Sequence, residues 1–248
     1  MKARHVDILR IVNEKQKVEV TELAEALSVS GVTIRKDLDA MEEKGLLRRE
    51  HGYACAVSSD DINNRLAYNY EVKARIARAA AEIVEDGETV MIESGSSCAM
   101  LAEILANERR DVNIITNSAF IADYVRHIGT NGITLLGGDY QRESQVMIGP
   151  LVRICAREFF VDKLFMGTDG FIPQVGFTCS DLSRAEAMRN LAESARKVMI
   201  LTDSTKFSQQ GVVLQMRFDK VHTVFTDEGI SESATKILQK NHVELVLA

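Results

Sequence analysis

Two groups of residues in this chain have types and spacings that could do chemistry. The first centres on Glu93-Ser94-Gly95-Ser96-Ser97, between an apolar run and a helix-forming stretch. Hydroxyls, a glycine and the exposed N–H groups of a helix start can together hold a phosphate. Thr116-Asn117-Ser118 and Asp169-Gly170 follow other apolar runs, and Lys206 lies beyond a further one. Small polar residues at such positions also cap helices, so the serine loop reads equally as a cap in isolation. Asn117 and Ser118 have the same second reading, and Asp169-Gly170 can be a plain turn. The second group is basic. Arg35, Lys36, Lys44, Arg48 and Arg49 cluster within fifteen residues.

That basic group must be positioned by the stretch Thr21 to Arg49. Leu23, Ala24 and Leu27 recur at helical spacing and predict a first helix, with Thr21 placed to cap it. Ser28-Val29-Ser30 is a turn, and Ser30 is placed to cap a second helix with the core stripe Ile34, Leu38 and Met41. At 100° per residue, Val32 and Lys36 fall opposite Ile34, flanked by Thr33 and Arg35. Gly45 ends this helix. Leu46 to Arg49 continues as a short basic strand, His51-Gly52 makes a turn, and Ala54 to Val57 returns. The pattern predicts a winged helix-turn-helix whose second helix enters a DNA major groove, with Ser30, Val32, Thr33, Arg35 and Lys36 facing the bases. Arg48, Arg49 and His51 on the wing would follow the phosphate backbone.

ELAEALSVSGVTIRKDLDAMEEKGLLRREHGYA resembles the N-terminal signature of the DeoR family of bacterial transcription regulators, which respond to sugar phosphates. The shared pattern runs through Leu23-Ala24, Val29-Ser30, Thr33-Ile34-Arg35, Asp37-Leu38, Glu42, Gly45, Arg48 and His51-Gly52. Tyr53 stands where the family usually has a second glycine.

Composition agrees with a two-part protein. The 248 residues suffice for one small and one medium domain, and 46% hydrophobic with 27% charged residues is ordinary globular composition. The net charge of −6 looks wrong for a DNA binder, but residues 1–57 carry ten basic and ten acidic residues. The excess acidity therefore lies outside the basic cluster, and local placement governs steering toward phosphates. No apolar run is long enough to span a membrane. Asp7 and Arg10 interrupt the first apolar pattern, which argues against a signal peptide. Cys55, Cys98, Cys155 and Cys179 are far apart, fall in no metal-ligand spacing and fit a reducing cytoplasm. No cofactor is expected.

Residues 3–15 read as a helix behind the helix-turn-helix pair, and Lys17 to Val20 as a short strand pairing with the wing. The DNA-binding domain spans residues 1–57 and a linker 58–72, with Arg65 either a solvated charge or a functional one. Residues 73–248 then alternate helices with apolar strands. This alternation predicts an α/β domain with a mainly parallel, Rossmann-like sheet covered on both faces. In such sheets ligands bind at the carboxyl ends of strands, where the polar clusters fall.

The family resemblance extends from about Lys73 to Asp227, through Ser94-Gly95, Thr116-Asn117-Ser118, Gly137-Gly138, Gly149-Pro150, Gly167, Asp169-Gly170, Asp203-Ser204 and Lys206. It implies an effector domain related to the ribose-5-phosphate isomerase and glucosamine-6-phosphate deaminase fold. The family loop usually reads Asp-Ser-Gly-Thr-Thr; here Glu93 replaces the aspartate, and Ser96 and Ser97 replace the threonines. The resemblance implies that Ser94, Gly95, Ser96 and Ser97 hold the phosphate of a sugar phosphate. Asp169, beside Gly170, would face the sugar, Lys206 would close over a negative charge, and Thr116, Asn117 and Ser118 would line the rim. Glu186 reads as a solvated helix face.

Isomerases and deaminases in that fold family move protons between carbons, which needs a tuned base and a group stabilising an enediolate. Asp169 could be such a base. The isomerase pattern, Asp-Gly-Ala-Asp-Glu followed by Lys-Gly-Gly-Gly, is absent after Thr168-Asp169-Gly170, and no lysine follows until Lys197. The sequence therefore points to a cytoplasmic, oligomeric DNA-binding repressor rather than an enzyme, with operator DNA and a phosphorylated sugar as partners. The alternatives are an isomerase-like enzyme fused to a DNA-binding module and a non-sensing architectural DNA binder.

Overall fold

A computed structural model describes residues 3–42, 46–56, 61–129 and 132–248. The chain forms two compact units, Met1–Tyr70 and Glu71–Ala248.

The first unit contains α1 (Ala3–Lys15), β1 (Lys17–Glu19), α2 (Val20–Ala26), α3 (Gly31–Glu42), β2 (Arg48–Glu50), β3 (Tyr53–Cys55) and α4 (Ile62–Ala67). Ile8, Leu9 and Val12 of α1 share one core with Leu23 of α2 and with Ile34, Leu38 and Met41 of α3. The wing is held on both sides: β3 pairs antiparallel with β2 and with β1. Ser30 caps α3, its Oγ accepting from Thr33 N at 3.1 Å.

Three expectations for this unit change. Thr21 does not cap α2. That helix already starts at Val20 behind Glu19, and the Thr21 hydroxyl donates to the Glu19 carboxylate at 3.0 Å. Residues 62–67, expected within a linker, are helical, and Ala67 joins the core. Ile62 and Leu66 make a buried i, i+4 pair too short to read as a stripe. Tyr53 needs no glycine-like backbone, because the positive φ values of the wing tip fall on His51 (41°) and Gly52 (89°). Tyr53 begins β3 instead, donating to Glu19 at 2.8 Å with the Lys17 ammonium 4.8 Å from its ring centroid. The expected helix end at Gly45, together with Lys44 and Val57, lies outside the described residues.

The second unit opens with α5 (Tyr70–Ala81), β4 (Thr89–Ile92), α6 (Ser96–Glu108), β5 (Asn113–Thr116), α7 (Ala119–Val125) and β6 (Gly132–Leu135). A hairpin of β7 (Asp139–Gln141) and β8 (Val146–Ile148) precedes α8 (Pro150–Ala156) and β9 (Val161–Met166). Next come β10 (Gly170–Ile172), β11 (Gly176–Cys179), α9 (Leu182–Ala192) and β12 (Ala195–Leu201). The chain closes with β13 (Val213–Arg217), β14 (Thr223–Thr226), α10 (Glu232–Lys240) and β15 (Glu244–Leu247).

Seven strands form one parallel sheet in the order β15-β14-β12-β9-β4-β5-β6. Its strands read as apolar runs because helices cover both faces. Leu164, Met166, Ile200 and Val224 from the sheet pack with Leu191 and Leu238 from α9 and α10. The order has one consequence for function. The chain starts at β4, moves outward through β5 and β6, then returns to the other side of β4 at β9. The order reverses between β4 and β9, and crevices for ligands open at the carboxyl ends of strands at such points.

The sheet expected as mainly parallel carries two antiparallel additions. The β7–β8 hairpin and the β10-β11-β13 sheet each use strands of three to five residues.

Candidate functional site

The described members of the basic group lie on α3 (Arg35, Lys36) and on the wing strand β2 (Arg48, Arg49). Burial of Ile34, Leu38 and Met41 turns the opposite side of α3 outward. Val32 is 62% exposed and Arg35 and Lys36 are exposed, while Thr33 is half-buried with its hydroxyl 2.9 Å from that of Ser30. Neither Arg35 nor Lys36 makes an ion pair among the described residues. The wing cations differ from them. Arg48 meets Glu50 at 3.0 Å, and Arg49 is hydrogen-bonded to Asp39 of α3 while its own N–H donates to Glu42 at 2.7 Å. Arg49 is thus a strut between wing and α3. His51 sits exposed at the wing tip.

Behind this surface Asp37 is buried against α1. It accepts from Arg4 Nε at 2.5 Å and lies 3.2 Å from His5 Nε2. The Arg4 hydrogen bond holds the Asp37 carboxyl below the usual aspartate range. This anchor of α3 has no signal in the linear pattern, because Arg4 and His5 are more than thirty residues away.

In the second unit the expected effector residues lie at or beyond the carboxyl ends of four neighbouring strands, β5, β4, β9 and β12. Ser94 to Ser97 follow β4, with β9 on one side and β5 on the other. α6 starts at Ser96, two residues earlier than its apolar pattern suggests, so Ser96 and Ser97 occupy its first turn with Gly95 as cap residue. Their hydroxyls make no hydrogen bond among the described residues. Gly95 also has a structural role. Its φ is −63°, and a Cβ there would lie 3.1 Å from both Cα and N of Gly167. Gly95 sits where the β4 and β9 loops touch, and a side chain there would press on the Gly167 backbone.

Glu93 organises that contact. Fully buried, its Oε2 accepts from Gly95 N at 2.9 Å and Gly167 N at 3.2 Å, and its Oε1 accepts from the Ser94 hydroxyl at 2.5 Å. The carboxylate that replaces the family's aspartate is therefore turned back into its own loop, and Ser94 is committed to it.

At the end of β5, Thr116 Oγ1 accepts from Ser118 N at 3.0 Å, and Ser118 caps α7 by accepting from Ile121 N at 3.1 Å. Asn117 Nδ2 donates to Met147 O at 3.0 Å, and Met147 N returns a bond to Asn117 O at 2.7 Å. Thr116 and Ser118 thus act locally, and Asn117 fastens the β7–β8 hairpin over the strand end. Asn117 Oδ1 is buried with no partner among the described residues.

Beyond β9, Asp169 is partly exposed. Its Oδ2 accepts from Ser180 N at 3.3 Å and Ser180 Oγ at 3.4 Å, with Arg184 Nη2 at 3.9 Å. Gly170 is enclosed by Gln209 O and Gly211 N, where a Cβ would meet them at 2.7 and 2.9 Å. Lys206, in a 3-10 turn over Ser204–Ser208, donates to Gln209 at 3.0 Å. Thr205 and Ser204 in this turn are bound by Asp203 and Asp227.

Sequence reasoning missed two neighbours of this cluster. Arg184 of α9 is 3% exposed and donates to Ser180 Oγ at 3.1 Å, placing a buried cation beside Asp169. Gln215 of β13 is fully buried and donates to Gly167 O at 2.6 Å. Neither carries a sequence signal: an arginine in a helix and a glutamine in a strand are ordinary, and their partners are set by tertiary contact. Burial pushes the Cys179 thiol up to about 11, which keeps it protonated at neutral pH.

A winged helix-turn-helix unit and an α/β unit with polar residues at the switch point of its parallel sheet define the class of ligand-responsive transcription regulators. The family model described as DeoR-like helix-turn-helix domain matches residues 4–60, and that described as DeoR C terminal sensor domain matches residues 68–228. The glycerol-3-phosphate regulon repressor of Escherichia coli strain K12 is 30% identical over 98% of this chain and 98% of its own. The transcriptional repressor AccR of Agrobacterium fabrum is 29% identical over 99% of this chain and 96% of its own. A structure of ribose 5-phosphate isomerase A from Methanocaldococcus jannaschii aligns with 56% of this chain and 55% of its own, at 19% identity and a TM-score of 0.41. The chain belongs to the DeoR family, and it is a DNA-binding transcriptional repressor with an effector-sensing domain.

Proposed function

We propose that a phosphorylated sugar binds in the β4–β9 crevice and modulates operator binding by α3 and the wing. The observation that carries this reading is the first turn of α6, where Ser96 and Ser97 are buried yet their hydroxyls have no hydrogen-bond partner among the described residues. Ser96 and Ser97 offer uncommitted hydroxyls there, beside backbone N–H groups and the positive end of a helix dipole. A phosphate would sit against that turn. Asp169, backed by Arg184, would accept hydrogen bonds from sugar hydroxyls, and Lys206 would add a positive charge at the rim. Asn117, whose buried Oδ1 has no partner among the described residues, would line the rim, while Ser94, Gly95, Thr116, Ser118 and Gly170 would shape the site. The name of the glycerol-3-phosphate regulon repressor, a full-length relative, supports a phosphorylated small molecule.

Binding proceeds without turnover. The lysine-containing run of the isomerases is missing after Asp169, and Asp169 itself is engaged by Ser180 and Arg184. On DNA, Arg35 and Lys36 would reach base edges, with Ser30, Val32 and Thr33 beside them. Arg48 and His51 would meet phosphates, and Arg49 would hold the wing. Two or more copies would bind an operator in the cytoplasm, with half-sites about 34 Å apart or a multiple of that. The test is calorimetry and thermal unfolding with paired phosphorylated and unphosphorylated sugars. Only phosphorylated members should bind and raise the melting temperature; equal binding of the unphosphorylated partner contradicts the phosphate assignment.

A further inference from the structure

A second concave site lies at the other end of the sheet. It is a groove of about 520 Å³ between the end of α9, the start of β12 and the middle of β13. That volume lies within the range of small-molecule sites. Ala195, Val198, Leu214 and Met216 give it an apolar floor, and Arg189, Arg196, Arg217 and Lys220 stand around it. Glu193 and Asp219 are its two carboxylates. Glu193 is drawn toward Arg153 and Arg157, at 3.6 and 3.5 Å, neither of which lines the groove. Arg217 is exposed and makes no ion pair among the described residues. Arg196 pairs with Asp162 at 3.1 Å and Lys220 lies 3.9 Å from Asp219, so Arg189, bonded to Leu214 O, and Arg217 are the groove cations without a carboxylate partner among the described residues. A low-dielectric wall lined mostly by one sign of charge concentrates the opposite charge.

Gln215 links this groove to the crevice. It lines the groove, is fully buried, and its Oε1 has no partner among the described residues. Its Nε2 holds Gly167 O at 2.6 Å, in the loop that packs on Gly95. Arg189 of the groove wall donates to Leu214 O at 2.5 Å, on the same strand. We propose that the groove is a second ligand site, for an organic anion with two or more negative charges on a body with an apolar face. Its occupation would be felt at Gly167 through Gln215. The site stands apart from the crevice reading, since it shares no side chain with Ser94 to Ser97.

Adenosine monophosphate and inorganic phosphate serve as probes, titrated calorimetrically into the full chain at low salt. Adenosine monophosphate should saturate one site per chain and bind more tightly than phosphate, which cannot use the apolar floor. Arg217→Glu lies at the exposed end of β13 and should weaken it by about tenfold or more. Hydrogen exchange at residues 167–170 should slow when the probe is bound. The proposal is overturned if neither probe saturates, if Arg217→Glu binds as the parent does, or if phosphate binds as tightly as the nucleotide. It also fails if sedimentation shows that Arg217→Glu breaks an assembly in which a second copy fills the groove.

Discussion

At the scale of single residues, four side chains of the first unit separate into proposed reader, follower, strut and anchor, the last buried behind the other three. Arg35 is exposed on α3 without an ion pair among the described residues, and a guanidinium there can take the edge of a guanine. Arg35→Ala should cost roughly 1–3 kcal/mol of specific operator binding and leave non-specific binding nearly unchanged. Arg48→Ala should weaken binding evenly across sequences and lower the salt slope by about one, read from affinities over a salt series. Arg49 is engaged by Asp39, so its loss should loosen the wing as well as remove a charge. Asp37 is the anchor. Its carboxyl is depressed in the folded state by Arg4, so the stability it contributes is present above the ordinary aspartate value of about 3.9. That contribution is lost as pH falls below 3.9 through the depressed value. Asp37→Asn should lower stability at pH 7 and flatten the acid limb of a denaturation-against-pH curve; an unchanged acid limb would show that Asp37 is not coupled to folding.

At the scale of elements, the parts that were legible are those whose signal is local. Ser30 as a cap, the Ile34-Leu38-Met41 stripe and the β4–α6 junction all lie within about one helical turn of the residues that define them. The β10-β11-β13 sheet was not legible. Its strands are Gly170–Ile172, Gly176–Cys179 and Val213–Arg217, too short for an alternation, and β11 pairs with β13 across 33 intervening residues. Ser118 and Asn117 show the limit from the other side. Their types announce a polar strand end, but only the fold reveals that one caps α7 and the other ties down the β7–β8 hairpin. The Gly95–Gly167 contact gives an element-scale test. Gly95→Ala would press a methyl group onto the Gly167 backbone at about 3.1 Å, and overpacking of this kind typically costs about 1–3 kcal/mol. Chemical denaturation should register that loss in the second unit, and crevice binding should fall with it; a variant of full stability would mean the loops separate without cost.

At the scale of the whole molecule, the proposed function requires coupling between an effector site in one unit and a DNA-reading surface in the other. Such coupling is reciprocal, so operator DNA must change effector affinity by the factor by which effector changes operator affinity, typically about 5–150-fold. The most direct measurement is operator affinity, titrated with a panel of phosphorylated sugars, for the parent protein and for Ser96→Asp. The substitution places a carboxylate on the first turn of α6, where a bound phosphate would sit. The parent's operator affinity should shift with at least one sugar phosphate. Ser96→Asp should bind the operator with the parent's ligand-free affinity and show no shift. A Ser96→Asp protein that still responds to the same sugar phosphate at the same concentration would contradict the central claim.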